Sequence, residues 1–248
     1  MGQSNELMEK FQADLAWRKK EISNMLLLET NDNQLLIIKA TLLLLYSHWE
    51  GFVKNACKAY LEHVSNKKIS LKDLTENFKA IALKGLIQEM YKSSDTLTLT
   101  NELNFLEAAG EFGTKVFSVK KGSFSSEKDK SIINTKDNLN LNVFKSILRI
   151  IGIDYSDSID TKSKFVDDKL LKTRNKVAHG NKIEKSDSEF DLSMDDLREL
   201  KRFVFFLMEA FSEDLIYFAV NEFYFASKTD RKKTYVQEKT EKIRGYPL

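Results

Sequence analysis

The sequence predicts an all-α protein, and three observations support that fold class. The single proline is Pro247, so the body of the chain lacks the residue that most strongly interrupts helices. Glycine, the next strongest helix breaker, supplies only 9 of the 248 residues. Apolar residues recur at steps of three and four along 34–65 and 193–225, which is the period of a helix with a buried face. With 42% hydrophobic residues, the chain can bury a substantial core.

The first part of the chain is predicted to be helical up to about residue 109. The opening helix spans 5–29, and the strongest helical pattern, 34–65, follows it. Ser70-Leu71-Lys72-Asp73 has the form of a capping box with Asp in place of Glu, which predicts a helix from there to about 91. A shorter helix is predicted over 99–109.

Residues 110–140 form an insertion of different character. Glycines, serines and lysines interrupt the helical pattern there, and Val116-Phe117-Ser118-Val119 alternates along its length. Two alternatives stay open for this insertion: a small β-hairpin turned at Lys120-Lys121-Gly122, or a flexible loop. Helix resumes over 141–151, so we expect 1–226 to form a single helical domain that carries the insertion.

The last long helix is predicted to begin at Ser193-Met194-Asp195-Asp196 and to reach about Phe225. It is apolar on two sides, so each side must be buried against a different surface. One side would face its own helical bundle, and a second subunit is a candidate for the other. Residues 227–248 carry charges of both signs, and we expect them to form a loosely ordered tail.

Composition restricts the classes of function. A formal net charge of +2 excludes a strongly basic binder, so nucleic-acid contact would need a local basic patch. The one cysteine, Cys57, cannot form an internal disulfide, which suits a cytoplasmic protein, and its apolar neighbours favour a core position. No run approaches the roughly 20 apolar residues of a membrane span. The scattered histidines lack metal-binding spacing and the isolated glycines form no phosphate loop, so neither a metal nor a cofactor is expected.

One segment joins groups suited to phosphodiester chemistry: Arg174-Asn175-Lys176-Val177-Ala178-His179-Gly180. It closes a helix predicted to start at about 161, with Gly180 as the C-terminal cap. Asn175 and His179 stand four residues apart and share a helix face. Arg174 lies roughly 140° around from His179 and falls in the apolar arc, where an arginine is costly unless it is paired or lines a cleft. Two alternatives remain: a functional site, or a helix end whose arginine is ion-paired internally and whose histidine caps carbonyls.

The pattern Arg-Asn-x-x-x-His resembles the core motif of the HEPN superfamily, which is an arginine, a polar residue and a histidine. A second segment, Tyr46-Ser47-His48-Trp49-Glu50-Gly51-Phe52-Val53-Lys54, resembles the N-terminal-helix motif of a prokaryotic HEPN-like nuclease family of toxin–antitoxin and defence loci. The resemblance implies an all-helical, usually dimeric protein, and many members are metal-independent ribonucleases. Two matching segments favour the functional alternative for the Arg174 segment.

The resemblance also implies a mechanism in which the RNA supplies its own nucleophile, the 2′-hydroxyl. His179 would act as general base on that hydroxyl or as general acid on the 5′ leaving oxygen. Arg174 would neutralise the equatorial oxygens of the phosphorane, while Asn175 would position the phosphate or hold the histidine. The products would be a 2′,3′-cyclic phosphate and a 5′-hydroxyl, and DNA could not react. Because one histidine cannot readily serve both proton roles, we expect a homodimer with a composite active site.

Further residues are candidates for accessory roles. Glu50 would orient Arg174 or His179, or would simply pair with Lys54 one turn on. His48 would line the cleft, or would be a half-buried structural histidine. The basic residues near the motif and in the insertion are candidates for RNA binding, with solvated loop charge as the alternative. The residues concerned are Lys176 as an accessory group and, for RNA binding, Lys120, Lys121, Lys172 and Lys182.

We therefore expect a cytoplasmic, metal-independent endoribonuclease that acts on RNA as a homodimer. Its biological role would be that of a toxin or an anti-phage defence effector, with an antitoxin or a defence-system protein as partner. The alternative belongs to a different class of protein. It is a catalytically inactive HEPN-type helical module that binds a nucleotide or a protein partner.

Overall fold

The computed structural model describes residues 2–92, 99–119, 132–153, 166–179 and 192–245. The protein is all-α, and the described residues form isolated antiparallel bridges but no strand. A π-helical segment, Val166–Lys172, runs directly into the helix Thr173–Ala178. The α-helices are, in chain order, α1 Gly2–Leu26, α2 Gln34–Asn66, α3 Glu76–Lys92, α4 Thr100–Gly110, α5 Leu141–Ile151, α6 Thr173–Ala178, α7 Met194–Asn221 and α8 Thr229–Arg244.

Helix α2 is the centre of the bundle. It packs against α1, α6 and α7, and its side chains Trp49, Phe52 and Tyr60 are almost completely buried. By length and by a mean hydropathy of 1.2 over 18 residues, α2 would be able to cross a membrane. Its apolar residues instead belong to the core of the bundle, where Trp49 meets Phe144 of α5 with ring centroids 4.8 Å apart. This packing accounts for the hydrophobicity of α2.

Helix α7 begins in the segment predicted to start it, and Ser193 and Asp196 form a capping box there. The Ser193 hydroxyl accepts a hydrogen bond from the Asp196 amide at 3.1 Å, and the Asp196 carboxylate accepts one from the Ser193 amide at 2.9 Å. Both apolar sides of α7 are largely covered within the chain, since Phe203 and Ala210 of the second side are also buried. The large exposed residues of that side lie toward its end, Tyr217 at 41% and Val220 at 59% exposure. Most of the second side therefore needs no partner subunit to bury it.

The expectation of a loosely ordered tail is wrong, because residues 229–244 form α8 on the surface of α7. Tyr235 stacks on Tyr217 with ring centroids 4.0 Å apart, and its hydroxyl donates to the buried Asp214 at 2.5 Å. Lys239 lies 3.0 Å from both Asp214 and Glu213. Burial lowers the pKa of Lys239, but these two carboxylates more than offset that effect, so the pKa is raised overall. A buried, ion-paired lysine thus holds α8 where an apolar residue would be expected. Hydrophobic periodicity does not detect such a lysine.

The described parts of the insertion are attached to the body of the protein. The Phe117 amide donates to the Ile69 carbonyl at 2.9 Å, Val116 forms an isolated bridge with Ser70, and the Phe117 ring is buried. The alternating segment therefore pairs with the residues before α3. The hairpin turn predicted at Lys120-Lys121-Gly122 lies outside the described residues.

Candidate functional site

The π-helical segment sets the direction in which the motif points. Leu170 and Leu171 anchor this segment in the core. Its hydrogen-bonding pattern takes one more residue per turn than an α-helix, so it rotates the following residues relative to an uninterrupted α-helix. Within α6 the normal pattern resumes, and the His179 amide donates to the Asn175 carbonyl at 3.0 Å. Asn175 and His179 are thus one turn apart, as their spacing predicts. The predicted cap Gly180 lies outside the described residues.

Arg174 is held by three contacts. Its guanidinium carbon lies 3.6 Å from the centroid of the Tyr46 ring. One terminal nitrogen donates to the side-chain oxygen of Asn175 at 2.6 Å, and the other donates to the backbone carbonyl of Asp137 at 3.2 Å. Among the described residues, no carboxylate forms an ion pair with Arg174. The described part of the chain therefore holds this half-buried cation in place without neutralising it.

Tyr46 is itself fixed beneath the guanidinium. Its side chain is 4% exposed, and its hydroxyl accepts a hydrogen bond from the Leu139 amide at 2.7 Å. Burial raises the pKa of Tyr46 to about 12, and the neighbouring Glu50 carboxylate adds to the shift, whereas the Leu139 amide and Arg174 oppose it. The ring consequently stays neutral at physiological pH, and it presents its electron-rich face to a cation.

Glu50 neighbours Tyr46, which in turn contacts Arg174. Its carboxylate lies 2.9 Å from the Lys54 amine and accepts a hydrogen bond from the Thr135 hydroxyl. The predicted pairing of Glu50 with Lys54 is therefore present. Glu50 meets Arg174 only through Tyr46, with which it also interacts. Tyr46, Glu50 and Lys54 follow one another at four-residue steps, and we call this row the Tyr46 ridge.

A strained turn over residues 134–140 forms the part of the site next to the Tyr46 ridge. Lys136 and Asp137 both have φ of 55°, in the left-handed region that costs non-glycine residues energy. The turn is held against α2 by the Tyr46 ridge and by Trp49, whose indole donates to the Leu139 carbonyl at 3.3 Å. As a result, the Asp137 carbonyl reaches Arg174, and the adjacent Lys136 is exposed at the same turn.

The other predicted site residues in and beside α6 differ in exposure. His179 is exposed and occupies the position that caps the helix. Lys176 is half-buried and Lys172 is exposed. The other candidates for RNA binding, Lys120, Lys121 and Lys182, lie outside the described residues. The described residues include no group of three histidine, cysteine or acidic side chains that could hold a metal ion.

His48 lies away from this site, on the side of α2 that faces α1. Its Nδ1 is 3.3 Å from the Arg18 guanidinium, and its Nε2 is 3.0 Å from the Glu21 carboxylate. Burial lowers the pKa of His48, and Arg18 adds to that effect, while Glu21 and Asp14 oppose it. These contacts match the structural alternative for His48, and they do not bring it to Arg174.

Two contacts of Arg174 were missing from the sequence-based site. Tyr46 belongs to the second motif segment and precedes Glu50 by one helical turn, so the shared helix face was the signal that could have identified it. The Asp137 carbonyl carries no such signal, because every residue has a backbone carbonyl. Only the tertiary fold brings that turn to α6.

A family model for MAE_28990-like HEPN domains matches residues 7–224. The chain belongs to this family. The matched part of the HEPN domain includes both motif segments and extends through α7, whereas α8 lies beyond it. HEPN domains are often ribonucleases, so family membership supports a nuclease-like, RNA-related function at a coarse level. Comparisons with curated proteins and with solved structures gave no match.

Proposed function

We propose that this HEPN domain is a metal-independent endoribonuclease that cleaves RNA through attack by the 2′-hydroxyl. The observation that supports the proposal is the environment of Arg174. Its guanidinium rests on the Tyr46 ring, bonds only to uncharged oxygens and meets no carboxylate among the described residues. A cation held in this way can bind a phosphate without first breaking an ion pair. His179, an exposed imidazole in the following helical turn, supplies the group for proton transfer.

Each motif residue has a role in this mechanism. Arg174 stabilises the charge that develops on the equatorial oxygens of the phosphorane. The Asn175 carbonyl oxygen orients the guanidinium, and its amide N–H groups can donate to a phosphate oxygen. His179 takes the proton from the 2′-hydroxyl or gives one to the 5′ oxygen that leaves. Cleavage yields a 2′,3′-cyclic phosphate and a 5′-hydroxyl.

The two proton transfers occur on opposite sides of the phosphorus, which one histidine cannot easily reach. We therefore propose a homodimer in which two copies of α6 face one RNA and contribute two arginines and two histidines. In a mixture of wild-type and His179→Ala protein, activity should fall more steeply than in proportion to the variant fraction. A strictly proportional fall would mean that each protomer works alone.

The activity is tested by incubating the purified protein with RNA and with DNA of the same sequence in the presence of EDTA. We expect only the RNA to be cut, with cyclic phosphate ends, and we expect His179→Ala and Arg174→Ala to abolish cleavage. Arg202→Ala is the matched control, because Arg202 is an exposed arginine of α7 outside the site. Tight RNA or nucleotide binding without cleavage would instead support the inactive binding module.

The biological setting is a separate part of the proposal and rests on the resemblance to toxin–antitoxin and defence families. Expression of the wild-type chain should slow cell growth, and His179→Ala or Arg174→Ala should relieve that effect. A protein encoded beside it, an antitoxin or a defence-system component, would restrain the activity. Equal toxicity of the wild type and both variants would contradict a toxin that acts through this site.

A further inference from the structure

The turn that supplies the Asp137 carbonyl has an unusual backbone for one of its residues. The Asn138 amide donates to the Thr135 carbonyl at 3.1 Å, and the two residues between them, Lys136 and Asp137, both have φ of 55°. Positive φ at both central positions is the form of a type I′ turn, which glycine, asparagine and aspartate usually occupy. Asp137 therefore suits its position, whereas Lys136 holds a strained one.

The strain at Lys136 does not come from the end of a helix. Helices often end with a residue in the left-handed region, and Lys68 and Glu222, which also have positive φ, come at the ends of α2 and α7. The residues directly before Lys136, at 132–135, are not helical. The turn therefore needs another reason for placing a lysine in this conformation.

Helix α2 holds the turn in place from both ends. Before the turn, Thr135 is completely buried and its hydroxyl donates to Glu50. After the turn, the Leu139 amide donates to the Tyr46 hydroxyl at 2.7 Å, and the Leu139 carbonyl accepts from the Trp49 indole at 3.3 Å. Strained backbone persists where the surrounding structure fixes it in this way, and it is concentrated at functional sites.

The side chain of Lys136 is exposed beside Arg174. The guanidinium donates to the Asp137 carbonyl at 3.2 Å, so the Cα atom of the preceding residue, Lys136, lies within about 10 Å of it. Among the residues that the structure describes, the Lys136 amine has no hydrogen bond and no ion pair, whereas the Lys54 amine lies 2.9 Å from the Glu50 carboxylate. Arg174 and Lys136 are thus two neighbouring cations without an ion pair to a described carboxylate.

We propose that Lys136 binds an RNA phosphate next to the phosphate that Arg174 binds, and thereby positions the strand in the site. This inference rests on the proposed binding of RNA at Arg174. A strand bound there continues with one negative charge per nucleotide, and a lysine amine binds a phosphate oxygen as a point charge. Because the turn is already fixed to α2, little backbone ordering is lost when the contact forms. Lys136 is therefore a substrate-binding residue, with no part in proton transfer.

RNA affinity measured at several salt concentrations tests the proposal. His179→Ala protein is the parent, so that the RNA stays intact, and the probe is a short, fluorescently labelled single-stranded RNA. In this background, Lys136→Asn removes the charge with a residue that tolerates positive φ. We expect it to weaken binding roughly three- to ten-fold at low salt. The slope of log affinity against log salt concentration should become shallower by about 0.7, and Lys136→Arg should keep both affinity and slope.

Lys68→Asn is the matched control. Lys68 is likewise an exposed lysine with positive φ, 56°, but it lies at the far end of α2, roughly 30 Å from Tyr46. Its substitution changes the net charge by the same amount, and it should leave the affinity and the salt slope unchanged. With His179 intact, Lys136→Asn should raise KM and leave kcat near the wild-type value, because the contact is equally strong in the ground state and the transition state.

The proposal is overturned if Lys136→Asn binds RNA with the affinity and the salt slope of the parent, or if Lys68→Asn lowers both as much. It is also overturned if the parent binds no RNA at millimolar concentration. If the parent binds RNA but the wild-type protein does not cut it, the ribonuclease proposal fails. The effect of Lys136→Asn on binding then still decides whether Lys136 contacts the strand.

Discussion

Tyr46→Leu removes the ring beneath Arg174 and keeps an apolar side chain in a buried position. A cation over an aromatic face contributes about 0.5 kcal/mol when exposed and about 2 kcal/mol when desolvated. Because Arg174 is half-buried, we expect the loss to be about 1–2 kcal/mol of transition-state stabilisation, or roughly a 5- to 30-fold slower cleavage step. Single-turnover cleavage of a short RNA measures that step directly. Affinity for the same RNA with a 2′-deoxy cleavage position reports binding separately.

Tyr46→Phe separates the effect of the ring from that of the hydroxyl. It keeps the ring under Arg174 but removes the acceptor for the Leu139 amide, 2.7 Å away. We expect cleavage near the wild-type rate and a loss of about 1 kcal/mol in the free energy of unfolding. Tyr60→Phe is the matched control on the same helix. The buried Tyr60 hydroxyl has no hydrogen-bond partner among the described residues, so this variant should be as stable as the wild type or slightly more stable.

The reasoning is refuted if folded Tyr46→Leu protein cleaves RNA at the wild-type rate. It is also refuted if Tyr46→Phe slows cleavage as much as Tyr46→Leu does, since the hydroxyl and not the ring would then be responsible. If the wild-type protein cleaves no RNA, the proposed activity fails, but the stacking can still be tested. The guanidinium NMR signals of Arg174 should show a ring-current shift that Tyr46→Leu abolishes and Tyr46→Phe retains.

Three further predictions concern stability and the assignment of His48. Ser193→Ala should lower the free energy of unfolding by about 0.5–2 kcal/mol, measured in urea, because it removes the cap of α7. Stability should fall between pH 10 and 12, because burial raises the pKa of both Tyr46 and Tyr224 from 10.0 to about 12 and the unfolded chain ionises first. Each tyrosine contributes on the order of 3 kcal/mol to that loss, and tyrosinate absorbance should appear together with thermal unfolding. His48→Gln should leave RNA cleavage unchanged, and the wild type should lose stability below pH 6.5, where the lowered pKa of His48 makes the unfolded chain bind the proton first. That pH dependence should be weaker in His48→Gln protein.

The all-α fold class and the order of the described helices follow from the sequence, because periodicity and capping are local signals. The start of α7 is a clear case, since Ser193 and Asp196 are close in the chain and bond to each other. The helix formed by residues 229–244 did not follow from the sequence in this way. Helix α8 is stabilised by Asp214, Tyr235 and Lys239, which a count of apolar residues does not register. Its stability depends on contacts with α7, the helix that precedes it in the chain.

Sequence analysis identified only part of the candidate site, for a related reason. The motif itself is local, and its helical spacing between Asn175 and His179 is present in the structure. The wall that holds Arg174 comes from Tyr46 and from the strained turn at Lys136 and Asp137, which are distant in sequence from the motif and from each other. Left-handed backbone at a lysine has no compositional signature. Such partners become visible only in the folded chain.

The π-helical segment Val166–Lys172 makes the length of the chain before the motif as important as its composition. If the segment closed into an ordinary α-helix with its number of residues unchanged, the residues after it would be displaced around the helix axis. The guanidinium of Arg174 would then rotate by roughly 100° about the helix axis and lose its contact with the Tyr46 ring, although every motif residue would still be present. A deletion of one residue together with the tightening would keep the direction of Arg174, because about six α-helical residues turn through the same angle as the seven π-helical residues.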